Sequence, residues 1–409
     1  MQSASDTEIQ HPAQKRPGLS SRARKYLART LLALFLGFFS LKAVENPSYG
    51  WDAIAYVGAT LSPEISDAKL LHQESYAHIR AAVSEEKYRE LTRGNYRGAV
   101  AKDPEAFGSQ LSFYRVKPLY VFLLQASRKL GLNPLEGMAL VNILSVLLCS
   151  IAISFWFERY VPPFSALGLT LALYYAARMY ELSRIATPDA LSTVLLVLGA
   201  YALLEKRWAL RGMLLMSAAV LARSNNVIFT SMLSGSLLWI AAQAADTRVG
   251  LNRRSCAALL LPHTLPLLAY GYIALQQSHS WWALFHHSFV SYLVDLDQFD
   301  LSFDSQTYFA VLREQGAKLI FESPTALNNL PIFSLIAILV MLFSLKQRRP
   351  EALHMGVLFF ANALVYLLMF PLLPAFDRLL AAQYILIALM LCATLADRRG
   401  LEPSQKQVA

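Results

Sequence analysis

The sequence predicts an all-α protein that crosses a membrane about ten times. Hydrophobic residues make up 55% of the 409 residues and charged residues only 16%, whereas roughly 25% is usual in a soluble domain. The mean hydropathy is +0.38. The apolar residues are gathered in long stretches, and about 20 helical residues cross a hydrocarbon core roughly 30 Å thick. Because backbone polar groups cannot stay unpaired in lipid, we expect each stretch to form a helix.

Ten stretches have the composition of membrane-spanning helices. In chain order they are residues 26–44, 137–157, 164–180, 188–204, 208–222, 226–243, 256–275, 329–345, 353–370 and 378–396. The first is interpreted as an uncleaved anchor, because no small-residue cleavage site typical of a signal peptide follows it. The fifth and sixth are separated only by a short polar connection at Arg223, so a different assignment there would change the count. Residues 1–25 and 397–409 are the expected cytoplasmic tails.

The distribution of Lys and Arg predicts which side of the membrane each connection faces. Cytoplasmic connections are rich in basic residues, and the opposite connections contain few. The predicted inner connections carry Arg159, Lys206, Arg207, Arg211, Arg248, Arg253, Arg254, Lys346, Arg348, Arg349, Arg398, Arg399 and Lys406. The predicted short outer ones carry Arg178, Arg184, Arg223 and Arg378. The net charge of +9 is therefore interpreted as an orientation signal, and nucleic-acid binding is excluded.

Two connections are long, residues 45–136 and 276–328, and both are predicted to lie outside. In the first, apolar residues recur with helical spacing over 67–91, which predicts a helix on the membrane surface. Residues 118–130 form a second apolar stretch, which is too short to span comfortably and is expected to be interfacial or re-entrant. Long loops in compact proteins are usually functional, so reactive groups are expected in or beside these two.

Asp52 is the first candidate, a carboxylate a few residues past the end of the first predicted span. An Asp at this place is often a turn or cap residue, but Trp51 and Tyr56 are unusual neighbours for a turn. Further charged residues are predicted on the same side: Arg115, Lys117, Arg178, Glu181, Arg184, Asp189, Arg223, Asp377 and Arg378. A carboxylate near several arginines suits a substrate with a phosphate and a hydroxyl nucleophile, since the planar guanidinium binds phosphate through paired hydrogen bonds.

The order of these features resembles the GT-C superfamily of membrane glycosyltransferases. The shared features are the acid after the first span, helices in the first outer loop, and four short motifs between residues 28 and 396. The motifs are Lys117-Pro118-Leu119-Tyr120 before the second span, Thr187-Pro188-Asp189 at the fourth, Leu221-Ala222-Arg223 ending the fifth, and Asp377-Arg378-Leu379-Leu380 at the last. The resemblance lies in the order of the motifs and in the side of the membrane that they share. It implies one GT-C-like domain over 26–396.

The resemblance also implies the reaction. A sugar would move, with inversion, from a polyprenyl-phosphate donor to a lipid, glycan or protein acceptor outside the bacterial inner membrane. Asp52 would be the general base, and the donor phosphate would be bound by Arg378, Arg223 and Arg184. The other expected substrate contacts are Tyr56, Lys117, Asp189 and His286.

No cofactor is expected, because the leaving group is already a phosphodiester. Many members of the superfamily place two acids close together in the first loop, whereas Asp52 has no acidic neighbour. A divalent metal is therefore possible but not expected, and the second acid stays open between Glu64, Asp67 and Asp189. His286 and His287 are adjacent, so in one helix they would point about 100° apart and would not form a two-histidine metal site.

Two alternatives stay open. A transporter or flippase of lipid-linked or small solutes would need ionisable groups near the bilayer midplane. The predicted spans offer little beyond Asn142, Asn362 and the arginines at their outer edges, which disfavours transport. A polymerase or ligase of surface polysaccharide would use the same class of donor, and the sequence does not separate it from a transferase of single sugars.

Overall fold

A computed structural model describes residues 20–206, 208–246, 253–276, 279–299, 302–321, 329–347, 350–371 and 375–398. These residues are almost entirely α-helical, which confirms the all-α class, and no β-strand occurs among them. Residues 1–19 and 399–409, most of the expected cytoplasmic tails, lie outside the described residues, as do parts of the loop 276–328.

The first described helix, α1 (Ser21–Glu45), contains the first predicted span and begins where the Ser20 side chain accepts a hydrogen bond from the Ala23 amide. Seven helices follow in the long connection: α2 (Trp51–Leu61), α3 (Ala68–Ala82), α4 (Glu85–Thr92), α5 (Asn95–Val100), α6 (Pro104–Gln110), α7 (Ser112–Arg115) and α8 (Pro118–Lys129). The expected helix over 67–91 is two helices, because Val83 is extended and the Ser84 side chain caps α4.

Helix α2 is a buried element that the sequence does not indicate. All of its residues except Asp52 are buried, and it packs against α3, α8 and α9. The close approach needs a glycine, because a Cβ at Gly58 would lie 2.7 Å from Cζ of Phe107. A piece of the first long connection is thus enclosed by protein, with Asp52 in its first turn.

The central part of the chain supplies seven helices. They are α9 (Pro134–Phe157), α10 (Pro163–Ala176), α11 (Met179–Arg184), α12 (Asp189–Leu204), α13 (Ala209–Ala222), α14 (Asn226–Asp246) and α15 (Arg253–Gln276). Helix α9 begins with a capping box, in which the Asn133 side chain accepts from the Glu136 amide and the Glu136 carboxylate accepts from the Asn133 amide. The third predicted span ends earlier than expected, at Ala176, and the short helix α11 follows it.

Six helices complete the chain: α16 (Trp281–Phe289), α17 (Ser305–Phe321), α18 (Leu330–Gln347), α19 (Pro350–Met369), α20 (Phe376–Leu379) and α21 (Ala381–Arg398). The last predicted span begins later than expected, because Arg378 lies in the separate helix α20 and α21 starts at Ala381. Helices α18, α19 and α21 pack against one another, and α21 also packs on α9 and α12.

Four of the described helices are long and apolar enough to cross a membrane: α1, α9, α18 and α19. Five shorter apolar helices accompany them, at Pro163–Ala176, Asp189–Leu204, Ala209–Ala222, Asn226–Ile240 and Ala381–Ala396. Large apolar side chains on the long helices are more than half exposed, among them Leu34, Phe38, Leu148 and Leu342. A surface of this kind is stable when lipid covers it, which supports a membrane protein.

A short backbone contact joins the two segments that begin α2 and α12. Ser48 and Ile185 form an isolated parallel bridge, and the Ser48 amide donates a 3.0 Å hydrogen bond to the Arg184 carbonyl. Asp52 follows Ser48 in the chain, and Asp189 follows Ile185, by the same number of residues. The bridge therefore brings the segments that lead into both helices together.

Candidate functional site

A cavity of about 890 Å³ lies where the first long connection meets the starts of α12, α14 and α20. Six of the eight residues predicted for a site line it: Asp52, Tyr56, Lys117, Asp189, Arg223 and Arg378. The opposite wall comes from α16 and the segment after it. Ligand sites commonly occupy about 300–1,000 Å³, so the cavity is large enough for a small molecule or for part of a larger one.

Asp52 presents one fixed and one available oxygen. The Tyr114 hydroxyl donates a 2.6 Å hydrogen bond to Oδ1 of Asp52. Burial, followed by the nearby Asp52 charge, raises the pKa of Tyr114 well above its ordinary value, so this hydroxyl keeps its proton and acts as the donor. Oδ2 has no hydrogen-bond partner among the described residues. The carboxylate lies in the first turn of α2, where the helix dipole favours a negative charge.

Asp189 is the second carboxylate of the cavity and is only 2% exposed. Its Oδ1 forms an ion pair with the Arg223 guanidinium. Its Oδ2 accepts a 2.8 Å hydrogen bond from the Thr187 hydroxyl and lies 3.7 Å from Nε of Arg378. Both oxygens therefore have partners, and the carboxylate lies beside two guanidinium groups of the cavity, of which it is paired with that of Arg223.

Lys117 adds a half-buried ammonium group to this cluster. Its Nζ donates a 2.7 Å hydrogen bond to the Phe113 carbonyl and lies 4.8 Å from the ring centroid of Tyr114 and 5.5 Å from that of Tyr56. Burial is the largest cause that lowers the pKa of Lys117, to about 8; the charge of Arg223 acts in the same direction, and the charge of Asp52 opposes it. A nearby anion would raise that pKa again.

Basic residues outnumber acidic ones around the cavity. The charged residues that line it are Arg93, Arg97, Lys117, Arg223 and Arg378 against Asp52 and Asp189. One acid is paired with arginines and the other hydrogen-bonds to a tyrosine, so positive charge remains for a ligand. The arrangement can hold an anion beside a carboxylate that can accept a proton.

Asp377 holds Arg378 in place from outside the cavity. It is 1% exposed and accepts hydrogen bonds from Arg178 Nε at 2.8 Å, the Asn329 amide at 3.1 Å and the Tyr384 hydroxyl at 3.2 Å. Arg178 has a left-handed backbone, with φ of 50°. This network joins α20 to the residues that precede α11 and α18 and to the first turn of α21, and so fixes the short helix from which Arg378 projects.

The structure does not bring two predicted residues to the cavity. The Arg184 guanidinium donates to the Asn46 carbonyl and lies 5.1 Å from the ring centroid of Tyr180, where it ties the end of α1 to α11. The His286 ring packs at 4.7 Å from that of Phe299. Neither is among the described residues that line the cavity.

Of the three candidates for a second acid, only Asp189 lines the cavity. Glu64 is exposed and bonded to Arg128 at 2.8 Å. Asp67 caps α3 through a 2.6 Å hydrogen bond from the Leu70 amide. Among the described residues, no group of three or more His, Cys, Asp or Glu side chains has the arrangement of a metal site.

Sequence reasoning missed Tyr114, His287, Tyr96 and Tyr292, which all line the cavity. The one usable signal was the adjacency of His286 and His287, which in a helix must face different ways. No local pattern marks the three tyrosines.

Comparison with known proteins gives no independent assignment. No protein-family model matches the chain, and no curated protein or solved structure matches it significantly. The resemblance to the GT-C superfamily therefore stays a prediction from the residues.

Proposed function

We propose that the protein is a membrane glycosyltransferase of the GT-C type, which moves a sugar from a polyprenyl-phosphate donor to an acceptor hydroxyl. The observation that supports this most directly is the shared cavity of Asp52 and the cations Lys117, Arg223 and Arg378. A proton acceptor beside an anion-binding group is what transfer from a phosphate leaving group requires.

Asp52 is the general base in this proposal. Its Oδ2 takes the proton of the acceptor hydroxyl as the hydroxyl oxygen attacks the anomeric carbon. The bond from that carbon to the phosphate oxygen breaks, and its electron pair leaves with polyprenyl phosphate. A single displacement inverts the anomeric carbon. General-base catalysis commonly contributes about 10²–10⁴-fold to the rate.

The cationic residues stabilise the leaving phosphate. Arg223 is paired with the buried carboxylate of Asp189 and Arg378 lies beside it, so both guanidinium groups are already near the cavity when negative charge develops. Lys117 is half-buried, so its charge acts through a medium that screens it less than bulk water does. Asp189 is a positioning residue in this scheme, since both of its oxygens are engaged.

The proposal includes the finer topology that the sequence predicts. Ten spans with a GT-C-like arrangement would place both termini in the cytoplasm of a bacterium and the cavity on the outer side of its inner membrane. Each of the ten predicted stretches coincides with a helix, which supports this topology. The donor lipid would remain in the bilayer, and the acceptor would enter from the outer side.

The test uses purified protein in liposomes with a polyprenyl-phosphate sugar labelled in the sugar. Release of polyprenyl phosphate, with label in the acceptor fraction of an envelope extract, is the expected result. Asp52→Asn keeps the size of the side chain but cannot accept the proton, so turnover should fall by at least about 10²-fold while donor binding persists.

Glu64→Gln is the matched control, because Glu64 is an acid of the same connection that lies outside the cavity. Its turnover should equal that of the parent. Near-normal transfer by Asp52→Asn, in a protein that purifies like the parent, contradicts the role of Asp52. Failure of the parent protein to consume any lipid-linked sugar contradicts the function.

A further inference from the structure

We propose that Tyr96, His287 and Tyr292 form a subsite for a pyranose ring of the acceptor, so that the acceptor is a glycan or a glycolipid. This inference rests on the proposed function and concerns the same cavity. The three side chains lie on the wall formed by α5 and by α16 with the segment after it. None of them has a role in the reaction described above.

An open aromatic face is the first feature of this wall. The rings of Tyr96 and Tyr292 are stacked, with centroids 5.0 Å apart and planes 17° from parallel. One face of Tyr292 is thereby covered, yet 67% of the residue is exposed. Its other face is therefore free to receive a flat partner.

The wall is held rigidly by the two outer connections. The Tyr96 hydroxyl donates to Oε1 of Gln110 at 3.1 Å. Nε2 of Gln110 donates to the carbonyls of Leu293 and Val294 at 2.9 and 3.0 Å. Tyr292, which directly precedes these carbonyls, is thus fixed relative to Tyr96, and a ligand would find the stack already formed.

His287 supplies a neutral hydrogen-bond donor beside the stack. The Leu293 amide donates a 3.1 Å hydrogen bond to Nδ1 of His287, so Nδ1 carries no proton and the single proton lies on Nε2. Burial lowers the pKa of His287 to about 4, which keeps the ring neutral at physiological pH. The ring lies 5.0 Å from Tyr96 and 5.5 Å from Tyr292, centroid to centroid.

These features together match a sugar ring. A pyranose has a face of C–H bonds, which packs on the electron-rich face of an aromatic ring, and a rim of hydroxyls. The rim can bond to Nε2–H of His287 and to the exposed Asn95 amide, which also lines the cavity. A hydrocarbon chain would also pack on Tyr292 but would remove water from these polar groups without replacing its hydrogen bonds.

Binding of simple glycosides tests the subsite without requiring turnover. The protein is placed in lipid nanodiscs free of sugar-based detergent, and saturation-transfer NMR is recorded with the methyl glycosides of glucose, galactose, mannose and N-acetylglucosamine. At least one should receive saturation from the protein. Tyr292→Ala should weaken its binding about threefold to tenfold, in line with the loss of one aromatic contact.

Two further variants control for the loss of the side chain. Tyr292→Phe keeps the ring and should restore binding. Phe309→Ala removes a comparably exposed aromatic, 63% exposed, from α17 outside the cavity and should bind glycosides like the parent. Because Tyr292 is mostly exposed, Tyr292→Ala is expected to fold. The subsite is overturned if no glycoside receives saturation from the protein, or if Tyr292→Ala binds glycosides as well as the parent does. It is also overturned if n-dodecanol binds at this position instead of a glycoside.

The failure of this inference is distinguishable from failure of the proposed function. Binding of polyprenyl phosphate is measured on the same samples, where Tyr292→Ala should bind it normally and Arg378→Ala should not. If glycoside binding depends on Tyr292 but the protein never consumes a lipid-linked sugar, the sugar subsite is supported and the proposed transferase function is contradicted. If the protein consumes the donor but glycoside binding does not depend on Tyr292, the transferase function is supported and the sugar subsite is contradicted.

Discussion

The Tyr114 hydroxyl lies 2.6 Å from Oδ1 of Asp52 and joins two helices whose contributing residues are 62 positions apart in the chain. Tyr114 is itself held edge-on against Tyr56, with ring centroids 4.9 Å apart. The carboxylate is consequently restrained in rotation, and a particular oxygen is offered to the cavity. A proton acceptor that must meet an approaching hydroxyl benefits from such restraint.

Tyr114→Phe should lower the turnover number about tenfold, because it removes one hydrogen bond to a charged group and leaves Asp52 free to turn. The Michaelis constant for the donor should change little, since Tyr114 does not belong to the phosphate-binding cluster. Steady-state kinetics with the labelled donor measures both quantities. Tyr88→Phe, a tyrosine of α4 that does not line the cavity, is the control. Equal turnover in both variants would show that the hydrogen bond is dispensable.

Arg378→Ala should weaken binding of polyprenyl phosphate about tenfold to a hundredfold, the usual range for one hydrogen bond to a charged group. Arg378→Lys should also weaken it, since an ammonium does not replace the planar guanidinium. Arg184→Ala is the control, because sequence predicted a phosphate contact there and the structure places Arg184 outside the cavity. Binding can be followed by native mass spectrometry. If Arg184→Ala lost binding of polyprenyl phosphate and Arg378→Ala retained it, the phosphate contact would belong to Arg184 and not to Arg378.

Binding of the donor phosphate should weaken as the pH rises through about 8. Burial lowers the pKa of Lys117 to about 8, so the free protein loses this charge above that pH. The ammonium faces Asp52 and Tyr56 on α2, Tyr114 on α7, and the guanidinium groups of Arg223 and Arg378. A bound phosphate favours the charged form, so binding near pH 8 should take up protons.

Calorimetry at pH 8 in buffers of different ionisation enthalpy measures this uptake. Lys117→Met should abolish it and leave a shallower dependence on pH. A proton uptake that is the same in Lys117→Met and in the parent would assign the titration to another group.

The two long connections should be accessible from outside the cell. Single cysteines at the exposed positions Glu86 and Ser305 represent residues 45–136 and 276–328, and one at Arg211 represents the predicted inner side. The native Cys149, Cys256 and Cys392 are first replaced by Ser. An impermeant thiol reagent should label the first two cysteines in intact cells and the third only after lysis. Protection of both outer positions would overturn the orientation.

The helices were predictable from sequence because their signal is local. Each apolar stretch is contiguous, so composition alone located all ten helices that match the predicted spans. Helix α2 was not predicted, because its 11 residues are too few to span a membrane and nothing in the neighbouring sequence shows that other helices enclose them. Its burial depends on Gly58 meeting Phe107, a contact between distant residues.

The cavity was predictable only in part. The charges of Asp52, Arg223 and Arg378 stood out against apolar neighbours, and the predicted topology put all three on the same side of the membrane. The choice between His286 and His287 depended on how α16 is rotated, which is set by its packing against Phe299 and Tyr96. In the sequence, Arg184 looks like the arginines of the cavity; only its contacts with the Asn46 carbonyl and the Tyr180 ring, which the sequence does not show, keep it out of the cavity.

The neighbouring residues Asp377 and Arg378 have different roles. Asp377 is hydrogen-bonded to Arg178, Asn329 and Tyr384, whereas Arg378 lines the cavity. Substitution of either residue should lower activity, so an activity measurement alone would not distinguish their roles. Asp377→Asn would weaken the hydrogen bonds that hold α20 in place. It should therefore impair donor binding indirectly, and it should lower the melting temperature as well. The melting temperature thus distinguishes the structural role of Asp377 from the ligand-binding role of Arg378.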